Sequence, residues 1–295
     1  MKSYKSKFVL GTWPLSGDYG RYSEKNLIEV LNTAIDNKIH EIDTAPNYGK
    51  GIVEKVIGNE IKDNLIINTK VGSLTNKKKS FKLNDIERSF YQSLERLKRN
   101  SINILFVHNP RVSDYQLHVI LELLKKIKED NLVKSIGISL AKNFKYSHKT
   151  LQAFDVVQDD LNLLDLSYML KKNKYKRFQA RSILASGLLS LRLNNQSRFN
   201  RLNDHRASWI KGPRLDYLNQ HIKQITDLLD MPLENFSRRF ILQQTYVNKC
   251  VFGVRTKSQL LNLLEDINFN KINNNLVDKI VKIYKKYSIN KELKY

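Results

Sequence analysis

Six side chains with acid–base or hydrogen-bonding chemistry each follow a short apolar or β-branched run in this sequence. Asp43 follows His40–Ile42, Lys70 follows Leu65–Thr69, His108 follows Asn103–Val107, Ser139 follows Lys134–Ile138, Gln158 follows Phe154–Val157 and Arg181 follows Lys176–Ala180. Two further runs, Phe8–Gly11 and Cys250–Phe252, lead into Thr12-Trp13 and into Gly253-Val254-Arg255-Thr256. A lysine buried close to Asp43 stays charged. Its ammonium favours a neighbouring phenolate, which predicts a Tyr48 pKa below the ordinary ~10 and makes Tyr48 a usable proton donor near neutral pH. His108 can hydrogen-bond a substrate oxygen and orient it. An acid beside a carbonyl, with no metal ligands and no obvious nucleophile, suits reduction by hydride from a bound cofactor. His40, His118, His148, His205 and His221 lack ligand spacing of the H-E-x-x-H kind, so no metal site is expected.

These groups can meet only if the runs are parallel strands whose C-terminal ends share one mouth. Helical patterns lie between them. Ser23–Asn37 opens on a Ser cap and carries Leu27, Val30, Leu31 and Ala34 at helical spacing. Asn84–Lys98 and Tyr115–Asn131 repeat the pattern, and Asp216–Leu229 and Glu234–Val247 are expected helices on either side of Pro232. Strand–helix alternation repeated about eight times in roughly 250–300 residues predicts an α/β fold, a closed (β/α)8 TIM barrel with its active site at the C-terminal strand ends. An open doubly wound sheet would want G-x-G-x-x-G after its first strand; here Gly11 is followed by Thr12-Trp13-Pro14. No Pro-, Gly- or Ser-rich linker interrupts the chain, so residues 1–295 are expected to form one domain, with a helical extension from about residue 256. The stretch Ser190–Arg214 has no clear period, and in a barrel enzyme a loop of that length is expected to be functional or mobile rather than structural. Within it, Asp204-His205-Arg206 either folds over a cofactor or forms an exposed turn.

Composition narrows the class further. Hydrophobic residues make up 41% of 295, enough for a large core and incompatible with wholesale disorder. Lys and Arg number 51 against 29 Asp and Glu, for a net charge of +22. That balance would suit a polyanion binder. The lysines are scattered, however, and Lys77-Lys78-Lys79 reads as a solvated loop, so a nucleic-acid partner is not expected. No apolar run approaches the ~20 residues of a membrane helix, and Phe8–Leu10 is too short for a signal-peptide core. The single cysteine, Cys250, excludes an intrachain disulfide and a cysteine-based zinc site, and a cytoplasmic location is expected.

Taken together, several short pieces resemble the aldo-keto reductase family over nearly the whole chain, about Phe8 to Glu265. They are Leu-Gly-Thr-Trp at 10–13, Ile-Asp-Thr-Ala-x-x-Tyr-Gly at 42–49 with Glu54 and Ile57-Gly58 downstream, and Thr-Lys at 69–70. Ser-Leu-x-Arg-Leu at 93–97, Val-His-Asn-Pro at 107–110, Ser-Ile-Gly-Ile-Ser at 135–139 and Gly-x-Arg-Thr-x-x-Gln at 253–259 follow in order. The resemblance implies an NADP-dependent oxidoreductase that reduces a small-molecule carbonyl with NADPH, yielding NADP+, without metal or flavin. It implies that Asp43, Tyr48, Lys70 and His108 form the acid–base tetrad, with Tyr48 as general acid. It also implies that Ser139 and Gln158 hold the nicotinamide carboxamide, that Arg181, Ser182 and Leu184 lie along the cofactor, and that Gly253, Arg255, Thr256 and Gln259 receive the 2′-phosphate end. Thr12 and Trp13 would flank the pocket. Leu140 stands where the family commonly has Asn, and Arg181 where an aromatic usually stacks on the nicotinamide; Arg181 would face that ring or turn toward the pyrophosphate. The Arg181-Ser182…Gly187-Leu188-Leu189 stretch resembles a bacterial subgroup linked to surface-sugar metabolism, which places sugar derivatives among the expected substrates. The alternative is a non-catalytic barrel that binds NADP(H) as a sensing or scaffold subunit.

Overall fold

The apolar runs become strands in the computed structural model, which describes residues 2–61, 65–171, 174–190, 204–290, 292 and 295. In chain order the strands are β1 (Lys2–Ser3), β2 (Phe8–Gly11), β3 (Glu41–Asp43), β4 (Ile66–Val71), β5 (Ile102–His108), β6 (Val133–Ser139), β7 (Val156–Asp160), β8 (Phe178–Arg181), β9 (Lys249–Gly253) and β10 (Asn268–Phe269). Strands β2 to β9 pair in parallel, each with the next, and β9 closes on β2 through Gly11↔Gly253. This is the expected (β/α)8 TIM barrel. The short strands β1 and β10 pair antiparallel outside it.

Strands enclosed on both faces read as continuous apolar runs, and all four residues of β2 are buried. Side chains nevertheless alternate between lumen and helix layer. On β5, Leu105 and Val107 join the large core under the helices, whereas Ile104 and Phe106 form a separate small cluster with Val156. Gly137 on β6 makes room for Phe106: a Cβ there would lie 2.5 Å from its ring. The lumen is therefore plugged below His108, and the polar residues occupy the layer above.

The helices are α1 (Glu24–Asp36), α2 (Ile52–Glu60), α3 (Leu83–Leu97), α4 (Asp114–Glu129), α5 (His148–Gln152), α6 (Gly212–Thr226), α7 (Leu233–Leu242), α8 (Lys257–Glu265) and α9 (Asn274–Tyr287). Ser23 caps α1 by accepting from the Asn26 amide, and Ser113 caps α4 in the same way. On α4, Leu117, Ile120, Leu121, Leu124 and Ile127 are buried. Each such side chain contributes roughly 1.5–3 kcal/mol of hydrophobic stabilisation.

Some boundaries differ from expectation. Helix α6 starts at Gly212 rather than Asp216, because Pro213 fits the first turn, where its missing N–H is not needed. Helix α7 ends at Leu242, five residues early. Strand β7 runs on through Asp159 and Asp160, which stay in the ladder because both find polar or charged neighbours at the mouth. Of the stretch 190–214, residues 191–203 lie outside the described residues. Asp204 bridges to Tyr19, and the His205 ring lies tilted on Trp13 and edge-on to Tyr19 with centroids 4.5 and 4.3 Å apart, so Asp204-His205-Arg206 packs over the barrel mouth rather than forming an exposed turn.

Candidate active site

Register brings the chemistry to one level. His108 pairs with Ser139, Ser139 with Gln158, and Gln158 with Gln179 across β5 to β8, while Asp43 pairs with Asn68 two residues before Lys70. Lys70 Nζ donates to Asp43 Oδ1 at 2.5 Å and to the Thr44 carbonyl at 2.7 Å. The other carboxylate oxygen of Asp43 accepts from Gln158 Nε2 at 2.9 Å. Tyr48 follows a tight turn closed by its own amide on Ala45 O, and Gly49 next to it takes the left-handed φ of +56° that lets the chain turn down into α2. The Lys70 ammonium lies 5.1 Å from the Tyr48 ring centroid, the His108 ring 6.2 Å from it edge-on, and Trp13 stacks 6.1 Å away on another side. Trp13 is itself held by a 2.9 Å bond from Nε1 to Asp18. The structure thus gathers Asp43, Tyr48, Lys70 and His108 in one buried cluster.

The electrostatics correct one expectation. Burial pushes the Tyr48 phenol well above its usual pKa, and the Asp43 carboxylate adds to the rise; the cation that opposes it is Arg181. The Lys70 charge is spent on Asp43, and burial draws Lys70 itself below the ordinary lysine value against the pull of that carboxylate. The Tyr48 phenol therefore keeps its proton near neutral pH, and its pKa is raised rather than lowered toward neutrality. His108 is held neutral, its pKa driven well below the usual value by burial and then by Lys70, Arg181 and Lys79. Its Nδ1 is buried with no hydrogen-bond partner among the described residues.

Arg181 lines the cavity while held in a polar network. Its guanidinium pairs with Asp160 at 2.8 Å and donates to Asn109 Oδ1 at 3.0 Å, Ser139 Oγ at 2.6 Å and the Leu140 carbonyl at 2.6 Å. Four partners fix it across the ends of β5 to β8, and Asp160 balances its charge. Ser182 donates to the same Asp160 oxygen at 2.9 Å. Asp160, Asn109 and Gln179 were not singled out in the sequence. The signal for Gln179 lies in the alternation of β8, where Gln179 and Arg181 share the lumen face.

The mouth opens into a cavity of about 850 Å³, within the ordinary range of ~300–1,000 Å³ for ligand sites. Trp13, Gln158, Arg181, Ser182, Leu184, Gly253, Arg255 and Gln259 line it. Thr12 and Ser139 do not. Thr12 is fully buried and bonded to the Asp43 carbonyl, and Ser139 is fully buried with its hydroxyl engaged by Gln158 and Arg181. Both support residues of the wall through these bonds. Thr256 serves as the cap of α8, accepting from the Gln259 amide at 3.2 Å, while Gln259 Oε1 takes the Arg255 amide at 2.8 Å. Arg255 is exposed beside Gly20 and has no carboxylate partner among the described residues. A permanent cation at a helix N-terminus suits a phosphate, so this end of the cavity fits a phosphorylated dinucleotide.

One further residue enters the cavity unannounced by any motif. The Tyr295 side chain is buried between Lys142, whose ammonium is 3.7 Å from its ring centroid, and Trp209, and it lines the cavity together with Ser182 and Ser186. Among the described residues, no group of three or more His, Cys, Asp or Glu could hold a metal ion, and no helix is long and apolar enough to cross a membrane.

A closed parallel barrel with this polar layer at its C-terminal mouth is the arrangement of a TIM-barrel oxidoreductase. The sequence pattern of the Aldo/keto reductase family matches residues 7–285, and the chain belongs to that family, whose members are oxidoreductases that typically use a nicotinamide cofactor. It is 28% identical over 285 residues to the Aldo-keto reductase YhdN of Bacillus subtilis strain 168, covering 88% of this chain and 84% of that protein. A D-threo-aldose 1-dehydrogenase of a Pseudomonas species is 29% identical over 138 residues, 37% of this chain and 42% of that one. The solved structure of the glycerol dehydrogenase AKR11B4 from Gluconobacter oxydans superposes with a TM-score of 0.76 at 22% identity, covering 96% of this chain and 93% of that chain, and shares the fold.

Proposed function

We propose that this protein reduces a small-molecule carbonyl, an aldehyde, ketone or sugar-derived compound, to the alcohol with NADPH, and that Tyr48 is the general acid. The observation that carries this reading is the buried cluster of Asp43, Tyr48, Lys70 and His108 at one end of a cavity whose other end presents Arg255 at the start of α8. Kinship to an aldose dehydrogenase supports sugar derivatives as candidates. NADPH, when bound, supplies the hydride that the carbonyl carbon accepts.

The residues of the chain do the rest. His108, kept neutral, orients the carbonyl oxygen by hydrogen bonding. Tyr48 Oη keeps its proton until that oxygen gains negative charge, then gives it up. The ammonium of Lys70, anchored by Asp43, sits close enough to the phenol ring to stabilise the phenolate left behind. Trp13 and His205 wall the site against water. A chain whose one cysteine is buried suits a reducing, cytoplasmic setting, and we assign the whole chain to one working domain.

Tyr48→Phe tests the reading. It removes the proton donor but leaves the cavity intact. We expect kcat for carbonyl reduction to fall at least ~100-fold, within the range for general acid catalysis, with the Kd for NADPH changed little. Near-normal turnover by the variant rules out Tyr48 as the acid. Absence of any oxidation of bound NADPH by an aldehyde in a single turnover of the wild type favours the non-catalytic NADP(H)-binding barrel instead.

A further inference from the structure

The acids that line the cavity are few, and each is already matched. Asp43 holds Lys70, Asp160 holds Arg181 and Glu234 holds Arg238. Arg255 remains at the dinucleotide end. On the opposite rim three more cations line the cavity, and among the described residues no carboxylate lies within ion-pair distance of any of them: Lys79 after β4, Arg111 after β5 and Lys142 after β6. They come from three neighbouring strands and so form an arc over one side of the mouth.

Their placement is specific. Lys79 Nζ donates to the carbonyl of Asn109, the residue next to His108. Arg111 Nη2 donates to the Lys142 carbonyl at 2.7 Å, which ties the β5 and β6 loops together. The Lys142 ammonium lies over the rings of Tyr295 and Trp209, at 3.7 and 5.6 Å, with the Asp160 and Asp165 carboxylates near enough to favour its charge. Lys79 is drawn below the usual lysine value by burial and by the nearby charges of Arg111 and Arg181, so these cations crowd one another on this rim. Such crowding is relieved by a ligand that brings negative charge.

We infer that the substrate carries an anionic group, a phosphate monoester or carboxylate, which Lys79, Arg111 and Lys142 bind while its carbonyl meets His108 and Tyr48. The inference rests on the reductase reading above and adds the substrate class to it. Because Lys79 is clamped one residue beyond His108, only a few bonds separate the anionic group from the reacting carbonyl. The arc lies across the mouth from Arg255, so it serves the substrate and not the cofactor phosphates.

The test uses two matched pairs of aldehydes with the full-length protein and NADPH: glycolaldehyde phosphate against glycolaldehyde, and succinic semialdehyde against butanal. In the wild type we expect kcat/KM to favour the charged member of at least one pair by at least ~10-fold, since a charge-assisted hydrogen bond is worth about a factor of ten or more. Preference within the first pair identifies phosphate, and within the second, carboxylate. In Lys79→Gln/Arg111→Gln the ratio of charged to neutral kcat/KM should fall at least ~10-fold, mainly through KM, with the Kd for NADPH held. Turnover of neutral and charged aldehydes at equal efficiency overturns the anionic substrate class and leaves the reductase reading standing. A double variant that loses NADPH affinity assigns the arc to the cofactor and overturns the inference. No NADPH oxidation with any of the four compounds overturns the reductase reading and this inference with it.

Discussion

The side-chain amide of Gln158 donates to Asp43 Oδ2 at 2.9 Å, on the carboxylate oxygen that Lys70 leaves open. The same nitrogen donates to Gln179 Oε1 at 2.7 Å, and Gln158 Oε1 accepts from Ser139. Asp43 is thereby held from both sides, by a charge on one oxygen and an amide on the other, and Lys70 is held through it. Replacing Gln158 by Leu leaves a buried carboxylate oxygen and the Gln179 carbonyl without this donor. We expect a loss of about 1–3 kcal/mol in unfolding free energy, measured by urea denaturation, because an unsatisfied buried polar group carries its full desolvation cost. A neutral effect would show that the amide does not support the pair.

Arg255 offers the clearest test of cofactor choice. A charge-assisted bond to the 2′-phosphate is worth roughly 1.5–3 kcal/mol. Arg255→Ala should weaken NADPH by about 10- to 100-fold and spare NADH, as read by fluorescence titration. Equal weakening of both would assign Arg255 to another part of the dinucleotide or to the fold.

Asp160 decides how much of the Arg181 charge a cofactor feels. In the wild type the carboxylate balances the guanidinium, so little discrimination between neutral NADPH and cationic NADP+ is expected from Arg181. Asp160→Asn exposes the charge. The repulsion is on the order of 1 kcal/mol, so the preference for NADPH over NADP+ should rise about fivefold. The same change breaks a largely buried ion pair and should cost about 3–5 kcal/mol of stability. An unchanged ratio of the two dissociation constants would place the nicotinamide ring out of reach of Arg181.

His221 on α6 predicts an acid sensitivity outside the active site. Its ring stacks on Tyr287 of α9 at 4.6 Å and 2°, it is 3% exposed, and its Nε2 has no hydrogen-bond partner among the described residues. Burial lowers its pKa to about 4. Below the unfolded value of ~6.5 the unfolded chain takes up a proton that the folded one refuses, so stability falls as pH falls from there toward 4. Between pH 7 and pH 5 the wild type should lose about 2 kcal/mol more than His221→Gln, measured by denaturant unfolding at both pH values. Parallel losses would mean that the histidine is protonated in the fold.

Much of this arrangement is legible along the chain because barrel strands enclosed on both faces must be apolar until they reach the mouth. The polar residue that follows each run marks the strand end at Asp43, His108, Ser139 and Arg181, lies one residue short of it at Lys70 and two short at Gln158, and the helical period between runs supplies the crossovers. The family resemblance of Gly-x-Arg-Thr-x-x-Gln at 253–259 also pointed to Arg255 and Gln259, which lie at the start of α8. Pairing across the barrel was not legible. That Asp160 neutralises Arg181, that the Ser139 hydroxyl bonds Gln158 and Arg181, and that Tyr295 reaches the mouth beside Ser182 depend on which strands lie next to each other and how far each is shifted. The upward direction of the Tyr48 shift is set by the tertiary structure in the same way. A nearby lysine can be counted in a sequence, but the desolvation that outweighs it arises only when the barrel and the segment around His205 close over the phenol.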